Sequence, residues 1–232
     1  MSNFRFGLAA LSVLVACTLG ASCGNGSSNS NSSDIESDPG SAQTKVLELS
    51  DFPSGWVHRP WDQEAIDQFR SLPAWKHCYQ EKTLPGETDR AYGGEYSDKN
   101  TTLRSINPAV FVFDSEANAK RGIDGLINEY ECFAGVVGDG LAVNESFAMG
   151  ETNVKALPEE MYDATSAIRV TNTQIYKTSV PPDSDVLVFD VVYIAAGRVV
   201  SEVTGFQRHT PIDQEFLREY VEKARLKIGQ ND

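Results

Sequence analysis

Residues 1–44 constrain this chain more than any other stretch. Residues 6–19 are mostly apolar and follow a single charge, Arg5. This run is too short to span a bilayer and is typical of the apolar region of a signal peptide. Residues 24–44 are rich in Gly, Ser and Asn and hold too few apolar side chains to form a core, which favours a flexible tether. We therefore predict a lipoprotein signal peptide at 1–22, a disordered tether at 23–44 and an extracytoplasmic domain at 45–232.

Two cysteines at the end of the apolar run could carry a lipid. The residues before Cys17, Leu-Val-Ala, fit the small and aliphatic pattern of a lipoprotein signal, whereas Gly20 departs from it before Cys23. Cleavage before Cys17, however, would leave Cys23 as an odd thiol in an oxidising compartment. We favour lipidation of Cys23, with Cys17 as the alternative and a plain secretory signal as a third possibility. The predicted location is the extracytoplasmic face of the cell membrane, with a lipid anchor as the contact with the membrane.

The cysteines left after cleavage before Cys23 are Cys78 and Cys132. An even number of cysteines in an exported domain favours a structural disulfide between them. Metal ligation is the alternative, and His77 adjoins Cys78, but the chain has no C-x-x-C spacing and its other histidines stand alone. We predict a disulfide, no metal and no cofactor.

The charge balance is acidic, with 33 Asp and Glu against 20 Lys and Arg and a formal net charge of −13. Such a surface repels phosphate backbones and anionic lipid headgroups. We therefore predict no nucleic-acid partner. Most of this charge is explained by the solubility of an exposed surface.

Two stretches of the chain combine strand and helix patterns. Residues 107–113 (NPAVFVF) predict a buried strand, and Asp114 and Ser115 then predict the start of a helix. Residues 185–195 and 198–206 predict a hairpin that turns at Ala196-Gly197, followed by a helix with Thr210 as its N-cap.

Weaker strand patterns lie between these two stretches. Residues 95–106 predict two strands joined by a turn, and the alternation of Ile168, Val170, Thr173 and Ile175 predicts a strand with one wet face. Residues 136–165 predict no element. Together, these strand and helix patterns predict an α+β fold: a mostly antiparallel sheet with two or three packed helices in a single globular domain.

All three tryptophans of the chain lie between residues 52 and 79. Pro53 and Gly55 predict a tight turn that folds Trp56 back into the core. Trp61 and Trp75 flank a short predicted helix, and Tyr79 follows. Large aromatic side chains usually fill a core, but these three are our candidates for an aromatic-lined groove that binds a ligand.

The order of these motifs resembles a known group of proteins. The segments "LELSDFPSGW", "HCYQE", "VFVFDSEANAKRGIDGLINEYECF" and "VLVFDVVYIAAGRVVSEVTGF" are similar to secreted actinobacterial lipoproteins and to the extracellular sensor domains of PknH-type Ser/Thr kinases. The resemblance spans roughly residues 45–228 and implies a sheet with packed helices, disulfides and a ligand-binding cleft. The chain departs from the kinases by offering one disulfide where they have two.

Catalytic signatures are missing from the sequence. Its one match to G-x-S-x-G, residues 20–24, lies at the end of the predicted signal peptide and not at a strand-to-helix turn, and it has no H-E-x-x-H, S-x-x-K or P-loop motif. We interpret Asp183 and Asp185 as part of a solvated loop. We predict a non-catalytic, sensor-type domain that binds a small molecule or an envelope ligand. The alternative is a structural or protein-interaction module of the cell envelope.

Overall fold

The computed structural model describes residues 41–60, 77–78, 84–98, 104–137, 141–142, 147–176 and 183–229. Two 3-10 turns, Leu49–Asp51 and Glu159–Met161, accompany the regular elements. The helices are α1 (Ala42–Lys45), α2 (Glu116–Val137) and α3 (Gln214–Gly229). The strands are β1 (Trp56–Arg59), β2 (Glu87–Tyr92), β3 (Glu95–Asp98), β4 (Arg104–Phe113), β5 (Leu141–Ala142), β6 (Phe147–Ala156), β7 (Ser166–Tyr176), β8 (Asp183–Ala196) and β9 (Val199–Arg208).

The nine strands of the described residues form one antiparallel sheet in the order β1-β3-β4-β9-β8-β7-β6-β5. Strand β2 also pairs with β4, so β2 and β3 share one edge of that strand. The change of partner occurs at Pro108, whose carbonyl accepts a hydrogen bond from Gly93 N at 2.9 Å. Pro108 lacks an N–H, and the break between β2 and β3 is where a central strand can tolerate that loss.

Helix α2 covers one face of the sheet. Ser115 begins it, because its Oγ accepts a hydrogen bond from Asn118 N at 3.3 Å, as the sequence predicted. Its apolar side packs on alternate residues of the central strands, since successive side chains of a strand point to opposite faces. The buried residues of this α2 face include Ile123, Leu126, Tyr130 and Phe133 from the helix and Phe111, Phe113, Phe189, Val191, Tyr193 and Phe206 from the sheet.

Helix α3 and the N-terminal segment cover the opposite face. Trp56 is 9% exposed and stacks on Phe52, with ring centroids 5.1 Å apart. Phe52 in turn stacks on Tyr220 of α3 at 4.9 Å. Trp56 therefore fills the core, and the prediction made for it is confirmed. The buried residues of this α3 face include Leu217, Tyr220, Val221 and Ala224 from the helix and Ile106, Val110, Val192, Ile194 and Val203 from the sheet.

The N-terminal segment contributes more than the sequence indicated. Ala42, which we placed in the tether, is fully buried, and its N–H donates to Asp89 Oδ2 at 2.8 Å. Lys227 of α3 donates to the carbonyl of Val46 at 3.1 Å. Residues 41–44 therefore belong to the packed part of the chain.

The structure joins Cys78 to Cys132 in a disulfide with an S–S distance of 2.14 Å, as the cysteine count predicted. The bond links a short helical piece at residues 77–78 to the last part of α2. None of the helices in the described part of the chain has the length and the hydropathy that crossing a membrane would require.

The α+β prediction is confirmed, but three local predictions are wrong. Helix α3 begins at Gln214 rather than after Thr210, because the side chain of Ile212 turns into the core and Asp213 accepts a hydrogen bond from Phe216 N at 2.8 Å. In β7 it is Asn172 and Gln174 that are buried, not Thr173 and Ile175. These two polar residues keep the period of two that Ile168 and Val170 begin. Asp183 and Asp185 start strand β8 rather than a solvated loop, and Asp185 is buried against Arg208 at 3.3 Å.

Candidate ligand-binding cleft

A cleft of about 730 Å³ opens where the N-terminal segment meets the edge of the sheet. It lies beside the point at which β2 gives way to β3 along β4. Three separate stretches of the chain contribute its walls: the segment around α1, the end of β1, and the β2–β3 connection. The lining residues are Gln43, Val46, Leu47, Glu48, Leu49, Ser50, His58, Pro60, Tyr92, Gly93, Gly94 and Tyr96.

The floor of the cleft is buried and held by hydrogen bonds. Val46 and Leu47 are each 1% exposed, and Tyr96 is 4% exposed. Tyr96 OH donates to the carbonyl of Leu47 at 3.1 Å, which ties the N-terminal segment to β3. The ring of Tyr96 also stacks on Phe52 at 4.2 Å. These contacts keep the floor in one arrangement, as a preformed binding site requires.

The β2–β3 connection leaves room for the side chain of His58, a residue of β1, at the wall of the cleft. Gly94 has a φ of +80°, a conformation that glycine adopts at little steric cost. A Cβ atom at Gly94 would lie 2.6 Å from His58 Nε2, so the absence of a side chain there makes room for the imidazole. His58 Nε2 lies 2.7 Å from the carbonyl oxygen of Gly93, and the ring stacks on Tyr96 at 4.8 Å. The imidazole is therefore fixed in position although it is exposed.

The electrostatic environment of the cleft is acidic. Burial, and after it the carboxylates of Glu48 and Asp51, raise the pKa of Tyr96 to about 12. Asp51 forms an ion pair with Lys227 at 2.7 Å, so its charge is compensated. Below the cleft, burial raises the pKa of Glu95, while Arg59 at 3.8 Å acts in the opposite direction.

The chemistry of this lining suits binding more than catalysis. Its side chains offer one imidazole, one carboxylate, one amide and the hydroxyls of Ser50, Tyr92 and Tyr96, beside apolar residues and glycines. Within the described residues there is no group of three or more His, Cys, Asp or Glu side chains that could hold a metal ion. A small-molecule site usually combines a concave, mostly apolar surface with a small number of polar groups.

The site residues that we predicted from the sequence fall outside this description. Trp61, Trp75 and Tyr79 lie outside the described residues, as do Cys17 and Cys23, so their roles stay predictions. The described aromatic lining of the cleft consists of Tyr92, Tyr96 and His58.

Sequence reasoning missed the residues that form the cleft. His58 stands alone in the sequence, and Gly93-Gly94 lacks the strand and helix context of a phosphate-binding loop. The signal that could have been used is the glycine pair itself, which interrupts two strand-like segments and so marks a close approach of backbone. Nothing in the sequence connects that pair to Glu48 or His58, because the contact is made only in the folded sheet.

Comparison with known proteins gives one finding. No protein-family model matches the chain, and no curated protein matches it. Among solved structures, the fold is similar to the crystal structure of the extracellular domain of PknH from Mycobacterium tuberculosis. The two chains are 16% identical, the match covers 67% of this chain and 76% of that one, and the TM-score is 0.40. The similarity is a weak one at the level of the fold.

Proposed function

We propose that this protein is a sensor-type domain that binds a small molecule in the cleft beside the β2–β3 connection, without catalysis. The observation that carries the proposal is the cleft itself. Its floor is ordered by the hydrogen bond from Tyr96 to Leu47 and by aromatic stacking, so a ligand would meet a formed site. Its volume of about 730 Å³ lies within the range of small-molecule sites.

The location proposed for this domain is the extracytoplasmic face of the cell membrane, with a lipid on Cys23 or Cys17. The disulfide between Cys78 and Cys132 supports an oxidising compartment. The apolar run at residues 6–19 and the polar tract that follows support export and tethering.

Ligand binding can be tested with a mixture of small aromatic and aliphatic fragments observed by NMR. We expect some fragments to shift the amide signals of Gly93, Gly94 and Tyr96. In a variant with Ser50→Trp, an indole introduced on the exposed rim should remove those shifts without lowering the melting temperature. Shifts spread evenly over the surface, or shifts unchanged by Ser50→Trp, would argue against a binding cleft.

The lipid anchor can be tested in the cells that make the protein. Replacing both Cys17 and Cys23 by Ser should move the protein from the membrane fraction to the soluble fraction, because no thiol remains at either predicted site. The two single replacements then identify which cysteine is used. Membrane association that persists in the double variant would contradict the anchor but not the cleft.

A further inference from the structure

We propose that the ligand of the cleft is an organic ammonium ion, a cationic head on an apolar or aromatic body. This inference rests on the proposed binding function and adds the chemical class of the ligand. Three features of the described lining support it: its charge, its hydrogen-bonding groups and its apolar surface.

The charge of the lining is negative. Glu48 is the one ionisable acid among the twelve lining residues, and none of them is Lys or Arg. Lys227 lies close but forms an ion pair with Asp51 at 2.7 Å and donates to the carbonyl of Val46 at 3.1 Å, so it is already engaged. Arg59 is directed at Glu95. The carboxylate of Glu48 has no ion pair with any described residue, and a cationic ligand would supply one.

The hydrogen bonds of His58 also favour a donor ligand. The carbonyl of Gly93 can only accept a hydrogen bond, so Nε2 of His58 carries the hydrogen that bridges the 2.7 Å between them. In the neutral imidazole Nδ1 is then an acceptor. An ammonium group, which only donates, matches both this nitrogen and the carboxylate of Glu48, whereas a carboxylate ligand matches neither.

The apolar part of the lining provides a surface for the body of the ligand. One face of the His58 ring stacks on Tyr96, and His58 is exposed, so the other face is open to a ligand. Leu49 is 46% exposed at the rim of the cleft, which is unusual among the large apolar residues of the described chain. A flat or aliphatic group placed between Leu49 and His58 would remove apolar surface from water.

The test uses three probes of nearly equal size and shape: phenethylammonium, phenethyl alcohol and 3-phenylpropionate. Each is titrated to ~10 mM into the folded domain with its disulfide intact, because fragments of this size bind weakly. Affinity is read from the amide shifts of Gly93 and Gly94. We expect phenethylammonium to bind about fivefold more tightly than the alcohol, the ratio that one exposed charge pair supplies, and the carboxylate to bind more weakly than both.

Two variants locate the charge preference. Glu48→Gln should lower the affinity for phenethylammonium about fivefold and leave the affinity for the alcohol unchanged. Glu131→Gln makes the same substitution at an exposed acid on α2 and should change neither affinity. Raising the salt concentration to 1 M should reduce the preference for the ammonium probe in the wild-type protein, because exposed charges are screened.

The outcomes separate the two proposals. An ammonium preference that disappears in Glu48→Gln and persists in Glu131→Gln supports the ligand class. If the alcohol or the carboxylate binds as tightly as the ammonium probe, and Ser50→Trp abolishes that binding, the ligand class is wrong and the cleft still binds. If no probe shifts Gly93 or Gly94, both proposals are overturned.

Discussion

The two faces of the sheet each bury a carboxyl group, and they do so in opposite ways. On the α3 face, Asp190 is 0% exposed, and it accepts hydrogen bonds from Tyr162 OH at 2.6 Å and from two nitrogens of Arg169 at 2.6 and 2.8 Å. A cation in bidentate contact stabilises the ionised form of a buried acid. The pKa of Arg169 is raised, chiefly by its hydrogen bonds to Asp190, so the guanidinium stays charged.

On the α2 face, Glu202 is 2% exposed, and none of the cations among the described residues is in contact with it. It accepts hydrogen bonds from the hydroxyls of Thr204, at 3.2 Å, and Tyr193, and burial raises its pKa to about 8. Glu129 of α2 lies close enough to interact with it. The pKa of Glu129 is raised to about 9, first by burial and then by the charge of Glu202.

The positive charge of Arg90 does not neutralise Glu129 and Glu202. Arg90 lowers the pKa of Glu129, but it is bonded to Glu87, whose own charge acts in the opposite direction. Two further buried polar side chains on this face, Ser105 and Asn107, form no hydrogen bond with any described residue. Burial alone therefore does not decide the charge of a carboxyl group; the partner does. Asp190 on the α3 face has a cation in contact, and Glu202 on the α2 face has none among the described residues.

The largest effect that we predict at a fixed pH concerns the disulfide, which closes the α2 face covalently, whereas the described residues of the α3 face form no such bond. The double substitution of Cys78 and Cys132 by Ser removes a restraint worth about 4 kcal/mol in the chain-entropy model. We expect the melting temperature to fall by roughly 10 °C, since each kcal/mol corresponds to a few degrees in a domain of this size. Calorimetry measures the change. Thiol labelling of both cysteines in the untreated protein would show that the bond does not form.

The second prediction tests the ion pair of the α3 face. Asp190→Asn keeps the shape of the side chain and removes the charge that Arg169 contacts, which should lower the free energy of unfolding by about 2 kcal/mol. Urea denaturation measures it. Asp124→Asn on the exposed side of α2 is the matched control and should change stability little. Equal effects of the two substitutions would mean that Asp190 is not held as an ion.

The third effect appears only as the pH changes, whereas the first two are measured at a fixed pH. The pKa values of Glu202 and Glu129 are raised in the folded protein above their usual value of 4.5, so folding favours the protonated forms. The stability that this contributes is complete below pH 4.5 and is lost as the pH rises through 8 and 9. The slope is at most about 1.4 kcal/mol per pH unit for each group.

We therefore expect the melting temperature of the wild-type protein to fall between pH 6 and pH 9, the range that approaches these two raised pKa values. Glu202→Gln cannot ionise, so it should flatten the profile and be more stable than the wild type at the alkaline end. Asp190→Asn leaves Glu202 and Glu129 unchanged and should keep the wild-type slope. A wild-type profile without slope would contradict the neutral state of the two acids.

The parts of the fold that could be predicted from the sequence are those specified by local patterns. Apolar runs predicted β4, β8 and β9. Gly197 predicted the turn between the last two, although Arg198 and not Ala196 is its second residue. Strand β6 could not be predicted, because Phe147–Ala156 contains Gly150 and polar residues and carries an irregularity between Met149 and Thr152. The polar Thr152 points inward there because Asn172 of β7 donates a hydrogen bond to it at 2.6 Å, a pairing that only the folded sheet creates.

The cleft was less predictable for a related reason. The sequence correctly placed Trp56 in the core, because the turn at Gly55, with a φ of +98°, depends on neighbouring residues. Glu48, His58 and Gly94 come from three segments that meet only after β1 pairs with β3 and the N-terminal segment packs against Tyr96. Contacts of this kind leave no periodic signal in the chain.

The pairing of β4 with β9 has a consequence for how the chain folds. Most strands pair with a strand that is close in sequence, so β7, β8 and β9 can form hairpins by closing short loops. The seam between β4 and β9 is different: Ser201 Oγ contacts the carbonyl of Ala109 across 92 positions of sequence. Closing so long a loop costs conformational entropy before any contact compensates for it. The hairpins should therefore form early, and the formation of this one seam should set the folding rate of the whole sheet.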